Sequence, residues 1–258
     1  MTRSKEEIMP ELVLGANECR VWWADPRNRS EDELAEALDG HERARAERYL
    51  NEDDRRRFLT ACWLLRTKAA AQLGTEPEDV PVDRSCPDCG KPHGKPRIRT
   101  RGMESLYVSV SHSADRIAVA LTSVAPVGVD VELIPDVPID ELAGSALSPG
   151  ERAVLRWMPP HLQHAAFTRM WVCKEAALKA TGHGLRIPPD QVHVSHPDTP
   201  PALLAWPIEV PPSTVGLQPL DAGPDYRAVV ALLSPEPATV TQKYADRFLT
   251  PAFERQAA

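Results

Sequence analysis

The sequence predicts an α+β fold, because each half of the chain combines helical segments with segments that read as antiparallel strands. Apolar residues recur at helical spacing within 32–73 and again over 162–181. Apolar and polar residues alternate, as in half-buried strands, over 106–121, 127–134 and 226–233. With 258 residues, the chain is long enough for one large domain or two small ones.

The first half begins with a lead of about twenty residues that we expect to be loosely ordered, followed by a short apolar strand over 21–23. The helical stretch 32–73 carries seven arginines in its later part. A solvated surface is the simpler explanation of any single one, but so dense a cluster could hold a multiply charged anion. The seven are Arg43, Arg45, Arg48, Arg55, Arg56, Arg57 and Arg66.

A long loop and a hairpin complete this half. Residues 75–103 are rich in proline, glycine and charge, which is typical of a loop. The alternation over 106–121 is interrupted at 111–115, where we place the turn of the hairpin.

The second half contains the clearest strand and the clearest helix. Over 127–133, valines and a leucine occupy one face of a strand, and Asp130 and Glu132 occupy the other. The helix over 162–181 stops at Gly182, a residue suited to the left-handed conformation at a helix end. Residues 188–212 hold eight of the 26 prolines and must be mostly extended, and we expect weak structure after Pro235.

Composition excludes several classes of protein. Charged residues make up 26% of the chain, apolar residues 42%, and the net charge is −7. This acidic balance argues against a dedicated nucleic-acid binder. No uncharged stretch approaches the roughly 20 residues of a membrane-spanning helix. With no secretory leader recognised near Lys5, we expect a cytoplasmic protein that contacts neither membrane nor nucleic acid.

Five scattered cysteines fit a reducing compartment without a disulfide framework. Cys86, Cys89 and the nearby His93 resemble half of a zinc site. A structural zinc site normally has four ligands, and no second Cys/His pair stands at a usual spacing. We therefore prefer a plain Gly/Pro loop as the interpretation of this segment.

Two features point to chemistry on multiply charged anions. Asp130 and Glu132 emerge on the same face of a strand, as a divalent cation requires, although an ordinary solvated strand face would look the same. Trp171, Glu175 and Lys179 follow at i, i+4 and i+8 on one helix stripe, with Lys174 beside it. A surface ion pair is the simpler explanation of this stripe, but Trp171 places it beside the buried face.

The segment 111–113, SHS, adds a histidine at the expected turn, which could bind a phosphate oxygen or be merely structural. A Ser-His-Asp triad with Asp115 is excluded because residues so close in sequence cannot form one. The sequence also has neither a phosphate-binding loop nor a dinucleotide-binding glycine motif.

Taken in order, these segments resemble the surfactin-type (Sfp-type) branch of the 4'-phosphopantetheinyl transferases. The stretch 128–132 reads GVDVE, and 171–179 reads WVCKEAALK. Upstream, 109–113 reads SVSHS and 94–96 reads GKP, and the arginine-rich helix is similar to the N-terminal region of the family.

The resemblance implies a pseudo-dimer of two similar α+β halves, which we place at 1–124 and 125–258, with the metal and catalytic motifs in the second. It implies transfer of the phosphopantetheine arm of coenzyme A to a serine of an acyl or peptidyl carrier protein, which releases 3',5'-ADP. The expected cofactor is Mg²⁺, or Mn²⁺, and the expected state is a monomer.

The resemblance also assigns residues. Asp130, Glu132 and Glu175 would hold the metal ion, and Glu175 would be the base for the attacking serine. Lys179 and His112 would contact the phosphates. The coenzyme A site would further include Arg45, Arg57, Lys95, Ser111 and Lys174, with Lys95, Arg45 and Arg57 at the adenosine 3'-phosphate.

Two rival functions stay open at this point. A non-catalytic relative that binds coenzyme A or a carrier protein is expected to have lost a carboxylate or Lys179, but all are present. A different magnesium-dependent phosphoryl transferase would need a nucleotide-cradling loop. Which carrier proteins are modified, and which acyl-coenzyme A molecules are tolerated, does not follow from the sequence.

Overall fold

The computed structural model describes residues 13–99 and 106–245 and confirms a mixed α+β fold with two similar halves, each a sheet with a helix of 22 residues. The first half contains β1 (Glu18–Ala24), α1 (Glu31–Glu36), α2 (Gly40–Ala46), α3 (Glu52–Leu73), β2 (Val82–Asp83), β3 (Arg97–Ile98), β4 (Tyr107–Ser113) and β5 (Arg116–Thr122). The second contains β6 (Val127–Leu133), α4 (Asp140–Ala146), α5 (Pro149–Trp157), α6 (Pro160–Thr181), β7 (His193–Val194), β8 (Leu203–Ala205), β9 (Gly216–Leu220), β10 (Tyr226–Leu232) and β11 (Thr239–Tyr244).

Two sheets form the centre of the molecule. The first has the order β11-β1-β5-β4, and the second has the order β6-β10-β9. Neighbouring strands are antiparallel except β1 and β11, which run parallel. The boundary that we predicted between 124 and 125 falls in the turn between β5 and β6, but β11 returns from the end of the chain to extend the first sheet.

Alternating side chains place apolar contacts on both faces of each sheet, and a further apolar cluster joins α1, α2 and α3. Val21 of β1, Ala120 of β5 and Val129 of β6 belong to a core shared by the two sheets. The opposite face of the first sheet packs against α3, and the opposite face of the second sheet packs against α6. Each sheet is therefore buried on both sides, which fixes the register of its strands because a slip by one residue would exchange the two faces.

The two long helices have boundaries that their sequences explain. Asn51 caps α3 by accepting a hydrogen bond from the Asp54 amide at 3.0 Å, and α3 ends at Gly74 with φ +65°. Helix α6 begins with Pro160 in its first turn and ends at Gly182 with φ +77°, as predicted. Glycine at these ends adopts the left-handed conformation without the steric cost of a Cβ atom.

The structure corrects several predicted elements. The stretch 32–73 is divided into three helices, and the hairpin turn is confined to 114–115, so 111–113 lie in β4. Strand β11 occupies 239–244, where we expected weak structure, and α4, α5 and β9 were not predicted. The predicted loose lead falls mainly outside the described residues, as does the end of the tail. Within the described ranges, none of the helices combines the length and the apolarity needed to cross a bilayer.

Candidate active site

Strand β6 approaches α6 closely because Gly128 has no side chain. A Cβ atom built on Gly128 would lie 2.0 Å from the Ala176 carbonyl oxygen of α6, which is closer than atoms can pack. Asp130 and Glu132 are the next two residues on the same face of β6, so the close approach brings their carboxylates beside α6. Val127, Val129 and Val131 fill the opposite face and are fully buried in the core between the sheets.

A row of serines on β4 holds the carboxylates in place. The edge strands β4 and β6 belong to different sheets and lie side by side. The hydroxyls of Ser109, Ser111 and Ser113 on β4 accept hydrogen bonds from backbone amides of β6, at 3.0, 3.4 and 3.1 Å respectively. Ser111 donates its own proton to Asp130 Oδ1 at 2.8 Å, and Ser113 donates to Glu132 Oε2 at 2.8 Å. The serines thus join the two sheets and orient both acids at once.

Helix α6 contributes a third carboxylate and an ammonium group. Lys179 Nζ lies 2.6 Å from Asp130 Oδ1 and 3.0 Å from Ser111 Oγ, and its side chain is 27% exposed. Glu175 lies one turn earlier on the same face of α6. Glu175 and Lys179 therefore share one face of α6, as their spacing of four residues predicted. The ion pair of Lys179 is with Asp130 of β6.

These groups line one cavity of about 310 Å³, which we call the carboxylate cavity. It opens beside a second cavity of about 670 Å³, which we call the loop cavity, and the two share Glu175 and Lys179. The polar and charged residues of the carboxylate cavity include Arg45, Arg84, Ser111, His112, Asp130, Glu132, Glu175 and Lys179. Together the cavities have the size range of small-molecule sites.

The three carboxylates disfavour one another's charge. Burial, with the charge of Asp130 next in importance, raises the pKa of Glu175 to about 7. The same two causes raise the pKa of Glu132, and the hydrogen bond from Ser113 opposes them. A site that raises carboxyl pKa values in this way binds cations favourably, because a bound cation relieves the repulsion.

His112 stands at the rim of the carboxylate cavity. Partial desolvation, followed by the positive charges of Lys179 and Arg57, lowers its pKa. At neutral pH the imidazole is therefore uncharged, and it can serve a ligand as a hydrogen-bond donor rather than as a cation.

The donor set fits a hard divalent cation. Among the described residues, no donor reaches Asp130 Oδ2 or Glu175 Oε1, although both oxygens are buried. A buried oxygen without a partner is costly, and a cation would satisfy it. Three carboxylates from two elements are the oxygen ligands that Mg²⁺ prefers.

Lys95 and Ser111 lie at the cavities but use their polar atoms within the protein. Lys95 Nζ donates to the Val127 and Ala180 carbonyls at 2.8 and 3.2 Å, and burial lowers its pKa to about 8. Ser111 gives its one proton to Asp130. Ser111 therefore positions a carboxylate. Its contact with coenzyme A and the phosphate contact of Lys95 both stay predictions.

Lys174 differs from the prediction more strongly, because it lies on the far side of α6. Its side chain is 0% exposed, and its ammonium group is 2.5 Å from Glu151. It also donates to the Ala146 and Pro189 carbonyls at 2.9 and 3.0 Å. Residues five apart on a helix point in different directions, so only Lys179 of the two faces Asp130.

We expect Lys174→Met to lower the free energy of unfolding by about 3–5 kcal/mol, because it leaves the Glu151 carboxylate buried without its partner. Urea denaturation followed by circular dichroism measures this loss. The double variant Lys174→Met/Glu151→Gln removes the stranded charge and should recover part of the stability. Unchanged stability with weakened coenzyme A binding would instead support the role that we first assigned.

The arginine cluster does not act as one anion site. Arg66 is 0% exposed and pairs with Asp39 and Glu42. Arg57 pairs with Asp54 at 2.6 Å and lines a neighbouring cavity at the turn between β4 and β5, near enough to His112 for its charge to lower the pKa of that imidazole. Its contact with coenzyme A stays a prediction. Arg45 alone among the seven lines the carboxylate cavity, within the described part of the chain.

Arg84 is a residue of the carboxylate cavity that the sequence did not indicate. It lines the carboxylate cavity, and its buried Nε has no acceptor among the described residues. Its Nη2 lies 3.4 Å from Glu42 Oε1. Arg84 stands in the stretch that we read as a loop, where no periodicity could indicate its direction.

Comparison with known proteins gives consistent matches. Residues 126–231 match the model of the 4'-phosphopantetheinyl transferase superfamily, a range that includes Asp130, Glu132, Glu175 and Lys179. The chain is 34% identical over 181 residues to the 4'-phosphopantetheinyl transferase HetI of Nostoc sp., which covers 68% of this chain and 73% of that protein. It is 28% identical over 206 residues to a 4'-phosphopantetheinyl transferase of Bacillus subtilis, covering 80% and 87%.

Proposed function

Because the chain belongs to the 4'-phosphopantetheinyl transferase family, we propose that it uses the carboxylate cavity to transfer phosphopantetheine from coenzyme A to a serine of an apo carrier protein, with Mg²⁺ as cofactor. The observation that carries this proposal is the pair of unpartnered oxygens, Asp130 Oδ2 and Glu175 Oε1, beside the ammonium group of Lys179.

The cations of the cavity suit the pyrophosphate of coenzyme A. Lys179 is half-buried and would neutralise one phosphate oxygen, and neutral His112 would donate a hydrogen bond to another. Arg45 and Arg84 reach the same cavity from the first half of the chain. Lys95 and Arg186 line the loop cavity, which offers room for the rest of a long ligand.

The three acids supply the metal site. Asp130, Glu132 and Glu175 would hold the ion, which when bound neutralises charge on the pyrophosphate and on the leaving group. Ser111 and Ser113 keep the first two acids in place, so their positions do not depend on the ligand.

The reaction then needs positioning and one proton transfer. The carrier serine Oγ attacks the phosphorus that bears the pantetheine arm. A new O–P bond forms, the P–O bond to 3',5'-ADP breaks, and the bond electrons leave with 3',5'-ADP. Glu175, whose pKa is about 7 in the metal-free protein, accepts the serine proton directly or through water.

The proposed active form is a monomer. Every lining residue of the carboxylate cavity comes from a single chain: the three acids and Lys179 from β6 and α6, and Arg45 and Arg84 from the first half. The site therefore needs no residue from a second copy.

The test is intact-mass spectrometry of a purified apo carrier protein after incubation with this protein, coenzyme A and Mg²⁺. We expect a mass gain of one phosphopantetheine group, which EDTA abolishes and added Mg²⁺ restores. No gain with several carriers, together with measurable coenzyme A binding, would favour the non-catalytic alternative. No gain and no binding would contradict the assignment of the cavity.

Lys179→Ala is expected to lower kcat about 100-fold while changing the KM for the carrier protein far less, because the ammonium group acts on the phosphates. Steady-state kinetics with the carrier varied at saturating coenzyme A measures both constants. Lys243→Ala is the matched control, since Lys243 is exposed on β11. An unchanged kcat would show that Lys179 serves only as the ion-pair partner of Asp130.

A further inference from the structure

The loop between β2 and β3 brings three metal-binding side chains together outside the carboxylate cavity. One ligand atom from each of Cys86, Cys89 and His93 lies within 4.8 Å of the other two. Cys89 Sγ and His93 Nε2 are 3.0 Å apart. From the sequence alone we preferred a plain loop to half of a zinc site. The close arrangement of these three side chains favours a metal site instead.

The backbone of the loop turns back on itself around Cys86. The Gly90 amide donates to the Cys86 carbonyl at 2.9 Å, which closes a tight turn, and Gly90 has φ +70°. The His93 amide donates to the Lys91 carbonyl at 2.9 Å, and the Gly94 amide donates to the Arg84 carbonyl at 2.7 Å. The loop therefore folds back on itself with Cys86, Cys89 and His93 on neighbouring turns.

Apolar burial does not explain why this loop is folded. From 84 to 94, Cys86 is the one buried residue, at 9% exposure, and the other residues are half-buried or exposed. The backbone hydrogen bonds within the loop, such as the one from Cys86 N to Lys91 O at 2.9 Å, are exposed to solvent and contribute little net stability. From outside the loop, Arg45 donates to the Pro92 carbonyl at 3.0 Å and Arg186 pairs with Asp88 at 3.1 Å. A metal ion bound by three side chains would add stabilisation from within the loop.

We propose that Cys86, Cys89 and His93 bind a single Zn²⁺ ion, at a site separate from the carboxylates of the cavity. Two thiolates and an imidazole are ligands for a borderline-soft metal such as zinc, whereas Mg²⁺ requires oxygen ligands. Cys89 and His93 are exposed, so water can complete the tetrahedron.

The position of this site gives the metal a structural consequence. Cys86 and His93 line the loop cavity, and Lys95 follows two residues later with its ammonium group bound to β6 and α6. The zinc ion would therefore hold one wall of the loop cavity in place. The ion itself takes no part in the transfer step.

The test measures metal content and needs no transferase activity, so its outcome is independent of the proposed function. The full chain is purified with a phosphine reductant, dialysed against metal-free buffer, and analysed by inductively coupled plasma mass spectrometry. We expect one equivalent of zinc per chain. Replacing zinc by Co²⁺ should give a thiolate-to-cobalt charge-transfer band in the near ultraviolet.

Two variants at exposed positions, Cys89→Ser and His93→Ala, should lose the bound zinc, and Cys89→Ser should also weaken the cobalt band. Because both side chains are exposed, the fold should survive, which circular dichroism checks. Cys19→Ala, in the core between the sheets, is the matched control and should keep the metal. The proposal is overturned if the reduced wild-type chain takes up neither zinc nor cobalt, or if the two variants bind them as the wild type does.

Discussion

Asp130→Asn is expected to lower kcat/KM for phosphopantetheine transfer about 1000-fold, because a metal ion at a phosphoryl-transfer site is worth several kcal/mol of transition-state stabilisation. Asparagine keeps the size of the side chain and can still accept the hydrogen bond from Ser111. It removes the negative charge that pairs with Lys179 and that would hold the proposed metal ion.

The measurement combines kinetics with a direct metal titration. We expect Mg²⁺ to bind Asp130→Asn much more weakly, as measured by calorimetry in the presence of coenzyme A. The fold should persist, because the variant adds no bulk and leaves the three valines of β6 in the core. Asp136→Asn, at an exposed acid just after β6, is the matched control and should retain full activity. Full activity in Asp130→Asn would remove the argument for the metal site.

Glu175→Gln is expected to lower kcat about 100- to 10,000-fold, since it removes the group that we propose both as proton acceptor and as metal ligand. The effect should depend on pH. Burial and Asp130 raise the pKa of Glu175 to about 7 in the metal-free protein. The carboxyl group therefore becomes protonated as the pH falls through about 7, and a protonated carboxyl neither accepts the serine proton nor binds the cation.

Two measurements check this account. The affinity for Mg²⁺ should fall as the pH is lowered below about 7, and metal binding should release protons. The residual activity of Glu175→Gln should lack this acid limb. Glu141→Gln, at an exposed position of α4, is the matched control and should keep the wild-type profile. A variant that retained the acid limb would show that another group, such as His112 or Glu132, accepts the proton.

Much of the site could be predicted because its key residues lie on regular elements. On a strand the direction of the side chain repeats every two residues, so Asp130 and Glu132 had to share a face. On a helix residues four apart lie together, so Glu175 and Lys179 had to share another. The alternation of valines also showed which face of β6 would enter the core.

Other residues could not be assigned in this way. Arg84, Cys86 and Cys89 stand in the loop between β2 and β3, where no periodicity gives the direction of a side chain. Most arginines of the first half lie on α2 and α3, and several of them have partners distant in sequence, such as Glu31 for Arg55 and the Pro26 carbonyl for Arg56. The row of serines on β4 looked like part of a turn, because its partner strand follows about twenty residues later.

The sequence by itself determined the class of fold, the family resemblance, and the pairing of residues within β6 and within α6, since all of these follow from local geometry and motif order. The tertiary structure decided which charged groups meet. Lys174 and Lys179 have the same charge and lie on one helix. Lys174 is buried and pairs with Glu151, whereas Lys179 pairs with Asp130 in the cavity. The physical reason is that the partners and the solvation of a charged side chain depend on its burial and on residues from other elements. Tertiary packing determines both.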